Sequence, residues 1–190
     1  MGKKRANILV LECTTTREKM FEGKMLKEFF KILESKIPVK GRARYVKIRN
    51  KNHFISVVRR SKERFIHISA HGEYNKRKHE ARLMIPYGYL TQSEIEENIG
   101  DRLKGKIVLA NACELGYAAM ANAFLRCKCK AYVAPYDSVK WDDASIFAML
   151  FYKAVLLEFK GDVDRARDYV NRLKNIGGCY SVWVQPPPAF

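Results

Sequence analysis

Short apolar runs alternate with segments of helical periodicity along the chain. Apolar runs of four to eight residues are typical of strands that are buried on both faces of a sheet. Predicted strands lie at 7–13, 43–49, 64–71, 105–113 and 130–136, with a possible final strand at 179–185. Residues 81–88 add only a short extended piece.

The segments between these strands carry hydrophobic residues at helical spacing. The predicted helices lie at 22–36, 52–63, 91–99, 116–127, 142–159 and 162–175. Thr91 is a suitable N-cap, and Glu94 stands at the spacing of a capping box. Asp142 and Asp143 open the longest of these helices. Such paired acids are favourable near the positive end of a helix dipole.

Strands that alternate with helices predict an α/β fold with a mainly parallel central sheet and helices on both faces. The sequence contains no internal repeat and no linker. We therefore expect residues 1–190 to form one domain. In sheets of this kind, ligands collect beyond the carboxyl ends of the strands.

Two predicted strands end in residues that could perform catalysis. His71 ends the run in FIHISAHGEY (65–74), and Cys113 ends the run 105–113. If these strands are neighbours, their spacing brings the thiol and the imidazole within about 4–7 Å of each other. Nucleophilic cysteine catalysis requires this pairing. Either residue taken alone is more often structural, so the prediction depends on the pair.

Gly72 follows His71 and lets the chain turn sharply. Its N–H and that of Cys113 could together form an oxyanion hole. A helix that begins near Gly116 would present its positive end to Cys113 and favour the thiolate.

The chain is strongly basic, with 36 Lys and Arg against 20 Asp and Glu and a net charge of +16. Residues 1–80 carry 22 of the cations and 8 of the acids, a balance of +14, which leaves +2 for residues 81–190. The cations are scattered, and no nucleic-acid-binding signature accompanies them. We therefore favour a solvated, thermophile-like surface over a polyanion contact, and the second reading stays open.

The remaining composition favours a cytoplasmic protein. No apolar run approaches the roughly 18–20 residues that span a bilayer, and the first apolar run is too short for a signal peptide. Five cysteines without secretory context argue against a disulfide framework. Cys127 and Cys129 form a lone C-x-C pair, which favours ordinary thiols over a zinc site.

Three segments resemble the CHAT domain family within the caspase-like (clan CD) cysteine peptidases. They are HISAHGEY at 67–74, KIVLANACELG at 106–116, and YVAPYDSVKWDDASIFAMLFYKAVLLEFKGDVDRA at 132–166. The resemblance covers nearly the whole chain. It implies a caspase-like three-layer sandwich, and it implies His71 as general base and acid, Cys113 as nucleophile and Gly72 as oxyanion donor.

The same resemblance implies a primary specificity pocket, but its cues conflict. Asp137, Asp142 and Asp143 sit where relatives build this pocket, and carboxylates there would suit Lys or Arg before the scissile bond. For Asp142 and Asp143, an acidic helix N-cap is an equally good explanation. Two residues before the proposed nucleophile, this chain has Asn111, where relatives specific for basic residues have an acid and caspases have Gln. Arg17 lies where caspases bind aspartate.

The function implied is that of a cysteine endopeptidase that cleaves a protein or peptide through a thioacyl intermediate, without metal or organic cofactor. Many prokaryotic relatives act in antiviral defence or regulated cell death, so a sensor or pore-forming protein is an expected partner. The main alternative is a catalytically silent CHAT-like adaptor that binds protein or nucleic acid through its basic N-terminal half. A weaker alternative is another cysteine-dependent transferase or hydrolase on the same sheet.

Overall fold

A computed structural model describes residues 8–15, 22–34, 43–172 and 179–185. Its strands are β1 Ile8–Glu12, β2 Ala43–Lys47, β3 Phe65–Ser69, β4 Gly72–Asn75, β5 Glu80–Ile85, β6 Gly88–Thr91, β7 Ile107–Asn111, β8 Ala131–Pro135 and β9 Tyr180–Val184. Its α-helices are α1 Glu22–Glu34, α2 Lys51–Arg60, α3 Gln92–Ile99, α4 Ala118–Arg126, α5 Trp141–Lys153 and α6 Val163–Asn171.

The described strands form a central six-stranded sheet in the order β2-β1-β3-β7-β8-β9. All neighbours in it are parallel except β9, which runs antiparallel to β8. Every residue of β1, β3, β7 and β8 is buried, as their continuous apolar runs predict. The predicted mainly parallel sheet is confirmed.

Helices cover both faces of this sheet. Buried side chains of α2, α3 and α4 pack on one face, and those of α1, α5 and α6 pack on the other. Alternate residues of β1 divide between these two cores, with Leu9 and Leu11 on the first face and Ile8 and Val10 on the second. The chain therefore forms a three-layer α/β sandwich.

A second, antiparallel sheet in the order β4-β5-β6 is the main departure from the sequence prediction. Residues 81–88 were expected to form only a short extended piece, yet β5 pairs on both sides within a meander. The flanking strands escaped prediction because GEYN and GYLT are only four residues long and contain glycine and polar residues. The meander begins directly after His71.

Element ends differ slightly from the prediction. The capping box of Thr91 and Glu94 is confirmed. Lys140, and not an aspartate, occupies the N-cap position of α5, so Asp142 and Asp143 lie in its first turn. After α5 the chain continues as a π-helical segment, Ala154–Glu158.

Among the described residues, no helix is long and apolar enough to cross a membrane.

Candidate active site

The candidate site lies where β3 and β7 end side by side. Ser69 is paired with Asn111 in the parallel register, and one further bond runs from the Ala70 N–H to the Asn111 carbonyl at 3.2 Å. Both strands end two residues earlier than the sequence predicts. His71 is thus two residues beyond Ser69, and Cys113 is two residues beyond Asn111. Both residues therefore lie at the same edge of the sheet.

Gly72 packs directly against the loop that carries Cys113. A Cβ at this position would lie 2.4 Å from the Cys113 carbonyl oxygen and 2.7 Å from Leu115 Cγ. Real Cβ atoms do not come so close to a backbone oxygen, so only glycine fits between the two strand ends. This contact joins the His71 and Cys113 segments tightly.

The pairing of β4 with β5 determines which way the Gly72 N–H points. The Met84 N–H donates to the His71 carbonyl at 3.0 Å, which marks these two residues as a hydrogen-bonded pair. Antiparallel pairs alternate, so the next pair, Gly72 with Leu83, is not hydrogen-bonded. The Gly72 N–H consequently points away from β5. Tyr74 is two residues further along and has the same orientation, and its N–H reaches the Glu114 carboxylate at 3.0 Å.

Glu114 shapes the turn that follows Cys113. It adopts a left-handed conformation with φ of 58°, which a non-glycine residue rarely does. Its N–H donates to the Asp137 carbonyl at 3.3 Å, while its carboxylate holds Tyr74 on the other side. The residue after Cys113 therefore ties the loop after β8 to β4. No periodicity or spacing signal marks Glu114 in the sequence.

The sulfur of Cys113 is held by the loop between β8 and α5. It accepts a hydrogen bond from the Val139 N–H at 3.4 Å and lies 3.6 Å from the Val139 carbonyl oxygen. In the second contact the Cys113 thiol donates to the carbonyl, so the two bonds together fix the position of the sulfur. Cys113 as a whole residue is half-buried.

The imidazole of His71 meets the indole of Trp141 edge to face. Their ring centroids are 5.2 Å apart and the ring planes are at 88°. Trp141 is the first residue of α5, two residues after Val139. The short segment from Val139 to Trp141, where the loop after β8 enters α5, therefore contacts both the sulfur and the imidazole. The sequence argument assigned no role to Val139 or Trp141, although an aromatic residue before an acidic helix start could have drawn attention to the second.

Asn111 lies beneath this edge. It is 2% exposed; its side-chain amide donates to the Glu22 carboxylate and to the Ala144 carbonyl, the latter at 2.8 Å. Its oxygen accepts from the Tyr180 hydroxyl at 2.8 Å. Burial and the nearby Glu22 raise the pKa of Tyr180 well above its usual value, so the phenol stays a neutral donor. These bonds make Asn111 a structural link between β7 and α5 and do not favour the expected substrate contact.

The predicted specificity acids lie in the loop after β8 and in the first turn of α5. Asp137 is exposed, and its carboxylate accepts from the Ser138 N–H at 2.8 Å. Asp142 is exposed and Asp143 is half-buried, both in the first turn of α5. Arg17 lies outside the described residues.

A cavity of about 320 Å³ opens beside His71. Its walls are formed by Cys13, Thr15, His71, Gly72, Glu73, Met84, Ile85 and Pro86. The Glu73 carboxylate on its rim pairs with Arg82 at 2.9 Å. The other lining residues include no Asp, Glu, Lys or Arg.

The other cysteines differ from Cys113 in their surroundings. Burial raises the pKa of Cys127 to about 11 and that of Cys129 to about 12, and it raises that of Cys13 well above the usual value. Burial and the charge of Asp137 also raise the pKa of Cys179. In the part of the chain that the structure describes, no three His, Cys, Asp or Glu side chains are grouped to hold a metal ion.

Comparison with known proteins identifies the fold. No family model matches the sequence, and no curated protein matches it. A chain of the Saccharomyces cerevisiae separase–securin complex is similar in structure, with a TM-score of 0.59 and 10% identity over 96% of this chain and 12% of that chain. The Drosophila initiator caspase Dronc has a TM-score of 0.59 and 11% identity, over 96% of this chain and 81% of that chain.

This chain has the caspase-like fold. The fold class predicted from the sequence is therefore confirmed. Protein GSU0716 from Geobacter sulfurreducens is also similar, with a TM-score of 0.53 and 10% identity over 96% of this chain and 95% of that chain. At such identities the likeness concerns the fold alone. This chain spans about an eighth of the matched chain of the separase–securin complex.

The contrast among the cysteines predicts selective alkylation. At neutral pH, iodoacetamide should modify Cys113 before Cys127 and Cys129, because Cys113 is half-buried whereas those two are buried. Cys127 and Cys129 should react only after unfolding, since burial raises their pKa to about 11 and about 12. Peptide mapping by mass spectrometry, with and without denaturant, measures this order. Faster labelling of Cys127 than of Cys113 in the native protein would contradict the described site.

Proposed function

We propose that this chain is a cysteine endopeptidase of the CHAT type that uses His71 and Cys113 as a catalytic dyad. The observation that carries the proposal is their equal placement two residues beyond the paired ends of β3 and β7. The caspase-like fold is consistent with the proposal. Since a fold alone does not require a histidine and a cysteine at these two strand ends, their presence there is a separate point in its favour.

The chemistry follows from the roles that these groups can take. The Cys113 thiolate attacks the carbonyl carbon of a peptide bond, and a negative charge develops on the carbonyl oxygen. Protonated His71 gives its proton to the amine as the C–N bond breaks, which leaves a thioester on Cys113. His71 then removes a proton from water, the water oxygen attacks the thioester, and the thiolate departs.

Two backbone N–H groups are proposed to stabilise the oxyanion. The Gly72 N–H points away from β5 and therefore toward the side on which Tyr74 meets the loop after Cys113. The Cys113 N–H is the second donor. Each donor of this kind is worth about 2.7–4 kcal/mol of transition-state stabilisation. Donors fixed by the backbone need no rearrangement during the reaction.

Substrate preference is proposed to be for Lys or Arg before the scissile bond. Asp137 lies in the loop that holds Cys113, Asp142 and Asp143 lie in the helix turn that follows it, and their carboxylates can pair with a cation. Arg17 would instead favour an acidic residue before the scissile bond. Cleavage after Asp or Glu would therefore indicate that Arg17, and not the aspartates, determines the substrate preference. The family resemblance extends the proposal to a regulated defence or cell-death pathway with a sensor or pore-forming partner.

A peptide-library digest tests the dyad. We expect hydrolysis after Lys or Arg by the wild type, and a loss of at least about 10³-fold in kcat/KM for Cys113→Ala and for His71→Ala. Cys179→Ala is the matched control, because Cys179 is also a half-buried thiol, and it should retain activity. Hydrolysis by Cys113→Ala equal to the wild type would refute the nucleophile. Absence of hydrolysis by the wild type, after addition of lysate from the source organism, would favour the silent adaptor.

Substitution of Gly72 tests the packing at the dyad. Gly72→Ala should lower kcat by about 10²–10³-fold, because the new Cβ would force the His71 and Cys113 segments apart and displace an oxyanion donor. Gly88→Ala is the control, since nothing lies within 4 Å of the position that its Cβ would take. Steady-state kinetics on one library-derived peptide, together with thermal unfolding, separate the effect on catalysis from any effect on stability. Equal activity of the two variants would be incompatible with the proposed role.

A further inference from the structure

Seven exposed cations gather at the edge of the central sheet opposite the candidate active site. They lie at the end of α2 and in the loops that lead into β3, β7 and β8. We call them the basic rim: Arg59, Arg60, Lys62, Arg102, Lys104, Lys128 and Lys130. The cluster is not apparent from the sequence, because four of the seven cations come from residues 81–190, whose net charge is only +2.

Backbone hydrogen bonds join these loops into one surface. The Ile107 N–H donates to the Arg64 carbonyl at 2.9 Å, the Gly105 N–H donates to the Lys128 carbonyl at 3.1 Å, and the Lys130 N–H donates to the Lys106 carbonyl at 2.7 Å. A short 3-10 turn, Gly100–Leu103, contacts both α2 and α4. The basic rim therefore has a fixed geometry.

The basic rim carries an excess of positive charge within the part of the chain that the structure describes. Across the described ranges, none of its seven side chains forms an ion pair. Two nearby carboxylates have other partners, since Glu63 pairs with Arg44 at 2.7 Å and Glu96 pairs with Arg126 at 2.5 Å. Asp101 is the exposed acid that lies within this surface. The rim thus presents a predominantly positive surface to solvent.

Two clefts flank the exposed face of α2 next to the rim. One holds about 500 Å³ and is lined by Asn52, Ile55, Ser56, Arg59, Arg60, Asn98 and Arg102. The other holds about 430 Å³ and is lined by Arg44, His53, Ser56, Val57, Arg60, Lys62 and Glu63. They share Ser56 and Arg60. Guanidinium, hydroxyl and amide groups along one groove are the donors that bind phosphate oxygens.

We propose that the basic rim and the two clefts bind the phosphate backbone of double-stranded nucleic acid. Neither lining includes Phe, Tyr or Trp, so the described surface offers no platform on which unpaired bases could stack. It also lacks the large apolar anchors that carry most protein interfaces. Binding through phosphates alone would be independent of sequence.

This site goes beyond the proposed peptidase function and does not depend on it. It lies at the amino ends of the parallel strands, whereas His71 and Cys113 lie at the carboxyl ends. A bound duplex would therefore leave the catalytic edge open to a peptide.

Fluorescence anisotropy of the wild-type chain with a labelled duplex of about 20 base pairs tests the site. Contacts with roughly four phosphates predict that affinity falls about 10²-fold between 50 and 200 mM salt. Duplex DNA and duplex RNA should both bind, and a single strand or polyglutamate should bind at least about tenfold more weakly. Equal binding of polyglutamate and duplex, or affinity that is insensitive to salt, would overturn the proposal.

Charge-reversal variants localise the site. Arg59→Glu/Arg60→Glu should weaken duplex binding at least about tenfold and reduce the salt slope by about 2. Lys76→Glu/Arg77→Glu changes the net charge equally, in the exposed turn between β4 and β5, and should lose less than about twofold. Arg59→Gln/Arg60→Gln should show an intermediate loss, with circular dichroism reporting that the fold is kept. Equal losses in both charge-reversal pairs would overturn the rim as the binding site.

Discussion

The parallel pairing of β3 with β7 is the constraint on which the proposed chemistry depends. The two strands are 38 residues apart along the chain between Ser69 and Ile107 but share one register, with Ser69 opposite Asn111. Because successive side chains of a strand point to opposite faces, a slip of one residue would turn one of the two catalytic candidates away.

Beyond the ends of these strands, the backbone of other elements fixes the site. Gly72 packs between the two segments and Glu114 ties the turn after Cys113 to β4. The loop before α5 supplies Val139, and the first residue of α5 is Trp141. Under this edge, the buried bonds of Asn111 hold the first turn of α5 against β7. The sulfur and the imidazole are thus positioned by groups that need not move during a reaction, which is what preorganised catalysis requires.

The central sheet and its helices could be predicted from the sequence because each parallel strand is a continuous apolar run and each helix has its own periodicity. The β4-β5-β6 meander could not, since GEYN and GYLT carry too few apolar residues to stand out. The resemblance implied that Asn111 belongs to the specificity pocket, but its side chain is buried at the end of β7 and bonded to Glu22 and Tyr180. The basic rim was also not predicted. Arg60 ends α2, whereas Lys104 and Lys128 precede β7 and β8, so these residues are distant in sequence and only the fold brings them to one edge. Contacts of this kind depend on topology and not on local pattern.

The measurement that tests the central claim most directly is the alkylation rate of Cys113 in the wild type and in His71→Asn, at pH 6 and at pH 9. The proposed imidazole can take up the thiol proton and so assist alkylation at pH 6, where an ordinary thiol is almost entirely neutral, whereas at pH 9 an ordinary thiol is largely ionised without help. We therefore predict a rate at pH 6 that is at least about tenfold lower in His71→Asn, and similar rates at pH 9. Equal rates at both pH values would show that the imidazole and the sulfur do not interact, and would contradict the account.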